Sequence, residues 1–426
     1  MRKKFLFFTL LFYGIYAACM YVYIFHMGTG QIPASLKGSV ADPAVFMSKH
    51  ELLLSEEYSK IRNYLFFVVT PFEWIIYLFI LIAGLSRLFE KWAISKAKST
   101  VFRTAIYVFW LNFISYVLLL PIRYYSYHLS MEYGISNQKL FSWLKEGWID
   151  FGVNYIMSAI VMATIYWLMQ KSLKNWWLYT WLLSIPFTIF VMFVQPVVIA
   201  PLYNDFYPLQ NKELETKILT LAEKANIPAD HVYEVNMAEK TNAMNAYVTG
   251  IGNNSRIVLW DTTLNNLTDR EILFIMAHEM GHYVEKHIYY GVAGYILLML
   301  IGLFLTAKIM NWSVRHYGSV LRVKKVSNIS SMPLFLLITS FLLFVSSPVS
   351  NIVSRYQEER ADQYAIALTG DHEAAVSSFQ KLTKAGLSEV NPPRLIKWFR
   401  YTHPPMLERI YTVYDKSQNS NEGNNK

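Results

Sequence analysis

The sequence predicts a mainly α-helical, polytopic membrane protein with seven transmembrane helices and a polar domain that holds a small β-sheet and is split by the last two spans. Of the 426 residues, 54% are hydrophobic and 16% aromatic, too apolar for an ordinary soluble domain. Seven apolar runs, about 5–26, 65–86, 104–125, 152–170, 176–200, 289–310 and 332–353, are each close to the ~20 residues a helix needs to cross the hydrocarbon core. Two polar stretches, 203–288 and 354–415, flank the last two runs and read as halves of one soluble domain.

The first run follows Met-Arg-Lys-Lys, exceeds twenty residues and lacks a small-residue cleavage site, so it reads as a retained anchor. Cys19 lies inside it without a second cysteine, which excludes disulfides and leaves the thiol a packing role. Glu73, inside the second run, must face protein or water, either lining a chamber or meeting a helix-end polar group. Residues 1–202 thus comprise five membrane helices and their loops.

In the first polar half, NKELETKILTLAEKANI spaces Leu214, Ile218, Leu221 and Ala225 as one helix face, with Pro228 beyond its end. VYEV (232–235), AYVTG (246–250) and RIVLW (256–260) read as strands, the last two joined by a turn at Gly252-Asn253-Asn254. Thr268-Asp269-Arg270-Glu271 is a capping box, which starts a helix that runs through His278 and His282 towards the sixth span (289–353 being spans six and seven). Residues 416–426, including SQNSNEGNNK, are polar enough to predict a disordered tail.

The net charge of +9 is dispersed over short loops, which argues for membrane topology and against a nucleic-acid partner. Fifteen Lys and Arg residues fall on one side of the seven spans (the N-terminus and the 87–103, 171–174 and 308–325 segments) against seven in the first and third loops opposite. By the positive-inside rule the richer side is cytoplasmic, placing 203–288 outside the cytoplasm.

The chemistry is concentrated at AHEMGHYVEKH, residues 277–287. On a helix His278 and His282 share a face and can bind one cation, while Glu279 projects beside it. Zinc suits two imidazoles, and a site with three protein ligands keeps one position for a water whose proton Glu279 can take. His287, five residues on, turns off that face and reads as an interfacial histidine. Because spans six and seven run in opposite directions, the third ligand is sought just after the seventh, in NIVSRYQEERADQYA (351–365). Glu358 and Asp362 share a helix face there and Glu359 does not; one can bind zinc while the other accepts the outer N–H of a ligand histidine.

AHEMGH, the series Asn351-x-x-Ser354-Arg355-x-x-Glu358-x-x-Ala361-Asp362, and Thr402-His403-Pro404-Pro405 with Arg409-Ile410 together resemble the type I CAAX prenyl proteases, integral-membrane zinc endopeptidases with seven spans. QPVVIAPLYNDFYPL (195–209), NAYVTG and RIVLWDTTL extend the resemblance over most of the chain. It implies one zinc per chain held by His278, His282 and Glu358, with Asp362 behind a ligand and Glu279 as the catalytic base. It also places His403 in the active site, where its ring can hydrogen-bond an oxyanion, with Arg409 holding that loop or a nearby acid. Asn351 and Arg355 belong to the same surroundings, Arg355 as a substrate contact or in a structural ion pair. Asn245, Ala246 and Tyr247 resemble the family's edge strand, to which a substrate backbone adds as a further strand. The chain departs from eukaryotic members at Thr241-Asn242-Ala243-Met244, where those often carry basic or serine-histidine residues. Those members face the cytosol, opposite to what the loop charges predict here.

The expected function is hydrolysis of prenylated CAAX-type or other hydrophobic, membrane-associated peptides by a multi-pass zinc metalloprotease domain, in a bacterial plasma membrane or a eukaryotic endoplasmic reticulum. A heat-shock-type quality-control protease shares the zinc motifs but has fewer spans before the catalytic helix. A zinc transporter would place its site near the bilayer midplane, whereas this metal helix stands at the membrane edge.

Overall fold

A computed structural model describes residues 2–27, 30–229, 231–249 and 256–424. α1 (Arg2–Val22) is followed by the short α2 (Pro43–Phe46), then α3 (Lys49–Ala83), α4 (Leu85–Lys96), α5 (Thr100–Glu132), α6 (Leu140–Lys171) and α7 (Trp176–Val194). Next come β1 (Phe206–Pro208), α8 (Lys212–Lys224), β2 (Val232–Val235), β3 (Ala246–Thr249), β4 (Arg256–Trp260), α9 (Asp261–Asn266) and α10 (Asp269–Val284). The chain ends with α11 (His287–Leu321), α12 (Met332–Thr369), α13 (His372–Gly386), α14 (Arg394–Arg400) and α15 (Met406–Asn424). Among the described residues, seven helical segments, built on α1, α3, α5, α6, α7, α11 and α12, are long and apolar enough to cross a membrane. They coincide with the seven runs read from the sequence.

Two large cores divide the molecule. Tyr107, Tyr166, Met169, Trp176, Met310 and Met332 are buried between the membrane helices. Leu214, Val232, Ile257 and Phe274 from before the last two spans, with Ala365, Phe379 and Ile410 from after them, form a second core. Burial of these side chains at about 1.5–3 kcal/mol each is what joins the two polar stretches.

The sheet runs β1-β2-β4-β3, with β2 and β4 parallel and the outer pairs antiparallel. β3 therefore stands at an edge, with Ala246 opposite Leu259 and Val248 opposite Ile257. The turn expected at Gly252-Asn253-Asn254 lies outside the described residues, as does Gly250.

α12 has 38 residues, about 57 Å of helix, so after crossing ~30 Å of hydrocarbon its last turns stand clear of the bilayer and reach the second core. α10 begins at the expected capping box, Thr268 Oγ1 accepting from Glu271 N and the Glu271 side chain from Thr268 N. It does not run on into the sixth span. Glu285 caps it, Lys286 takes a left-handed backbone at φ 58°, and α11 starts anew at His287. The tail predicted to be disordered is instead helical as far as Asn424, because extending an already packed helix costs far less than nucleating one.

Candidate metal centre

α10 and α12 supply the site, and their close approach is set by small residues. A Cβ on Gly281 would lie 3.2 Å from Ala361 Cα and 3.2 Å from Tyr364 Cβ, so the glycine lets the helices touch where their polar side chains meet. One nitrogen each from His278 and His282 and one oxygen from Glu358 lie within 4.8 Å of one another. His278 Nε2 is 3.2 Å from Glu358 Oε2, and His282 Nε2 is 3.4 Å from Glu358 Oε1. Glu358 Oε2 is buried without a hydrogen-bond partner, an orphan that a divalent cation satisfies. Two imidazoles and this carboxylate thus fit a metal by type and by reach.

Behind the ligand atoms the surroundings are negative and ordered. His278 Nδ1 is 2.8 Å from Asp362 Oδ1, and Arg409 grips the same carboxylate with Nε–Oδ2 2.8 Å and Nη2–Oδ1 2.6 Å. The Arg409 guanidinium also lies 4.3 Å from the centre of the Phe379 ring. Burial opposes charge on His278, but the Asp362 and Glu358 carboxylates pull its pKa up to about 9. Burial raises the Glu279 carboxyl above the ordinary carboxylate range, the direction that makes it a better proton acceptor. His403 Nε2 is 3.3 Å from Glu358 Oε1, and its Nδ1 is 2.9 Å from Thr402 Oγ1. Although 57% of the His403 side chain is exposed, the concave walls desolvate it enough to lower its pKa.

His287, expected at the interface, is buried against His282, Nδ1 to Nδ1 at 3.0 Å, because the break at Lys286 folds it back. Its Nε2 is 3.3 Å from Glu285 Oε2, and Glu285 is held in turn by Arg360 at 3.0 and 2.7 Å. The sequence signal that marks this position is the histidine itself; nothing in the local pattern reveals the turn.

Asn351 and Arg355 do not reach the metal ligands. Asn351 Nδ2 donates to Trp398 O (2.9 Å), and Arg355 Nη1 to Lys397 O (3.0 Å) and Tyr401 O (2.6 Å). They cap α14 and fix the loop that carries Thr402 and His403. The ion pair considered for Arg355 is absent among the described residues.

A cavity of about 440 Å³ adjoins His278, Glu279, His403 and Arg409, with Asn245, Ala246, Phe274 and Phe379 on its walls. Ala246 N–H, which does not join the β4 ladder, donates to Asn245 Oδ1 (2.9 Å). Tyr247 faces the other way, lining a separate cavity with Gln195, Phe206 and Arg256. Of the three edge-strand residues, only Asn245 and Ala246 border the metal cavity.

The family model for the CAAX prenyl protease N-terminal region, five membrane helices, matches residues 6–205, and that for peptidase family M48 matches 208–416. The uncharacterized metalloprotease YhfN of Bacillus subtilis (strain 168) is 49% identical over 410 residues, 96% of each chain. CAAX prenyl protease 1 of Saccharomyces cerevisiae is 28% identical over 73% of this chain and 72% of its own. The crystal structure of S. mikatae Ste24p shares the fold, with a TM-score of 0.78, 22% identity, and coverage of 97% of this chain and 98% of that one. This chain belongs to peptidase family M48 and is an integral-membrane, multi-pass metallopeptidase of the CAAX prenyl protease type.

Proposed function

We propose that the metal is zinc, held by His278, His282 and Glu358, and that the protein is an endopeptidase acting on prenylated CAAX-type or other hydrophobic membrane-associated peptides. The approach of these three ligand atoms to within 4.8 Å beside Glu279 carries the reading. Zinc bound there supplies Lewis acidity toward a water and a carbonyl oxygen. Glu279 takes the proton of the attacking water and returns it to the leaving amine. His403, whose Nε2 lies 3.3 Å from Glu358 Oε1, donates a hydrogen bond to the carbonyl oxygen as negative charge develops on it. Asp362, tied to Arg409, fixes the orientation of His278. The substrate adds along β3, its backbone taking the Ala246 N–H from the Asn245 side chain. CAAX peptides are supported as substrates by relatives named CAAX prenyl proteases, and the five-helix N-terminal region favours this over a heat-shock-type protease.

The test is cleavage of a quenched prenylated peptide by purified protein. Cleavage is expected to be chelator-sensitive and to fall by at least ~10³-fold in Glu279→Gln with metal content unchanged. Undiminished cleavage by that variant rejects the assignment of the base.

A further inference from the structure

β3 can take a further strand only along its outer edge, and its first residue, Ala246, lines the metal cavity together with the three residues before it, Ala243, Met244 and Asn245. Within the polar domain, side chains pin the chain that leads into this edge. Asp261 Oδ1 accepts from Met237 N and Ala238 N (both 2.9 Å), Thr262 Oγ1 donates to Ala243 O (2.8 Å), and Thr263 Oγ1 accepts from Asn245 N (2.9 Å). A second hold comes from the membrane helices. Residues 133–139, between α5 and α6, bring Ser136 opposite Thr241 in an antiparallel bridge, with Asn137 N donating to Lys240 O and Asn242 N to Ile135 O (both 3.0 Å). Ser136 Oγ donates to Lys240 O and Thr241 Oγ1 to Ile135 O (both 2.9 Å). Asn242 Nδ2 donates to Gly134 O (2.7 Å) and Asn137 Nδ2 to Asn242 Oδ1 (2.6 Å), while Lys240 Nζ is 2.6 Å from Glu146 Oε1 on α6.

Two features set this contact apart from a general seam between membrane helices and polar domain. It ends on Asn242, immediately before the cavity-lining residues, and only ~13 Å of extended chain separates Asn242 from Ala246, so a shift at one reaches the other with little slack. Asn137 and Asn242 are also both exposed, so water competes for their amides and their mutual hydrogen bond adds little to stability. What the pair does fix is position. Resting on the peptidase reading above, we infer that the α5–α6 loop positions the edge to which the substrate adds, with Asn137 and Asn242 as positioning residues that act through Ala243 to Ala246 and touch no reacting atom. The membrane helices thereby set where the scissile bond lies relative to Glu279. A displacement of about 1 Å at a reacting centre can cost about 10²-fold in rate.

The test is turnover of a quenched prenylated peptide by full-length Asn137→Ala and Asn242→Ala protein. The expected result is a kcat lower by about 10–100-fold with KM within about threefold of the parent, and with metal content and thermal midpoint unchanged. A kcat equal to the parent in both variants overturns the inference, as does a loss that follows metal content or midpoint. A cross-link supplies the rescue. Ser136 and Thr241 exchange no backbone hydrogen bond with each other, the closer of the two antiparallel pairings, with Cα atoms ~4.5 Å apart and within disulfide reach. In Cys19→Ser protein carrying Ser136→Cys, Thr241→Cys and Asn242→Ala, kcat should be low when reduced and recover once the disulfide has formed, as verified by mass; no recovery overturns the inference. Hydrogen exchange over 243–249 reads the hold without turnover and should be faster in Asn242→Ala than in the parent, with equal rates counting against the loop. Absence of cleavage by the parent counts against the peptidase reading alone.

Discussion

Behind His282 stand three further side chains in sequence: His287, Glu285 and Arg360. With a metal on His282 Nε2, the ring proton resides on Nδ1 and donates to His287 Nδ1, whose own Nε2–H donates to Glu285. His287→Ala is expected to weaken metal binding about 10–100-fold, measured by competition with a chromophoric chelator, with Arg360→Gln giving a smaller loss. Metal affinity equal to the parent would show that the contact is incidental. Glu389 offers a pH prediction. Burial raises it to about 7, opposed by Lys60, Arg400 and Asn63 and assisted by Glu56, and Tyr401 lies within its field. The folded state then holds more protons than the unfolded one between its ordinary value of 4.5 and about 7, so its contribution to stability diminishes as pH rises through that window. Thermal unfolding in detergent should show this slope, on the order of 1–3 kcal/mol in total, and Glu389→Gln should flatten it. The residues at HExxH were legible because their chemistry needs a fixed helical spacing; the hold on Asn242 was not, since its partners Gly134 and Asn137 lie 108 and 105 residues away.

At the scale of elements, the contact of α10 with α12 rests on Gly281 and Ala361. Alanine is ordinarily the better helix former by up to about 1 kcal/mol, so Gly281→Ala isolates packing from propensity. The added methyl must push Ala361 or Tyr364 back by a few tenths of an ångström, and we expect a loss of about 1–3 kcal/mol in stability with weaker metal retention. A variant more stable than the parent, with metal retained, would mean that the helices have room to spare. Elements with long apolar runs or a capping box were readable because each depends on neighbours in sequence: α8, β2, β4 and the start of α10 fall where the pattern puts them. The end of α10 was not readable, because a lysine in a left-handed conformation carries no local signal. Asn351 and Arg355 were legible as polar residues on α12 but not as caps of α14, since their partners are backbone carbonyls more than forty residues away.

For the whole molecule, the loop charges predict the side on which the polar domain resides. With Cys19 replaced by Ser and one cysteine placed at exposed Lys384, a membrane-impermeant thiol reagent added to intact cells should label the protein; a cysteine at Lys96 should stay unlabelled until the membrane is opened. The reverse pattern would place the polar domain in the cytosol. Seven spans and a polar domain whose halves meet across the last two could be read from hydropathy and span direction, but which side chains of the two halves share the core could not, because that depends on how the helices and sheet pack. That separation bears on biosynthesis. His278 and His282 leave the ribosome well before Glu358, and the last ligand arrives only once α11 and α12 have both been threaded through the bilayer. A nascent chain stalled before that point would hold two of the three proposed donors and no closed coordination sphere, so the proposed hydrolytic site is complete only after both helices are in place.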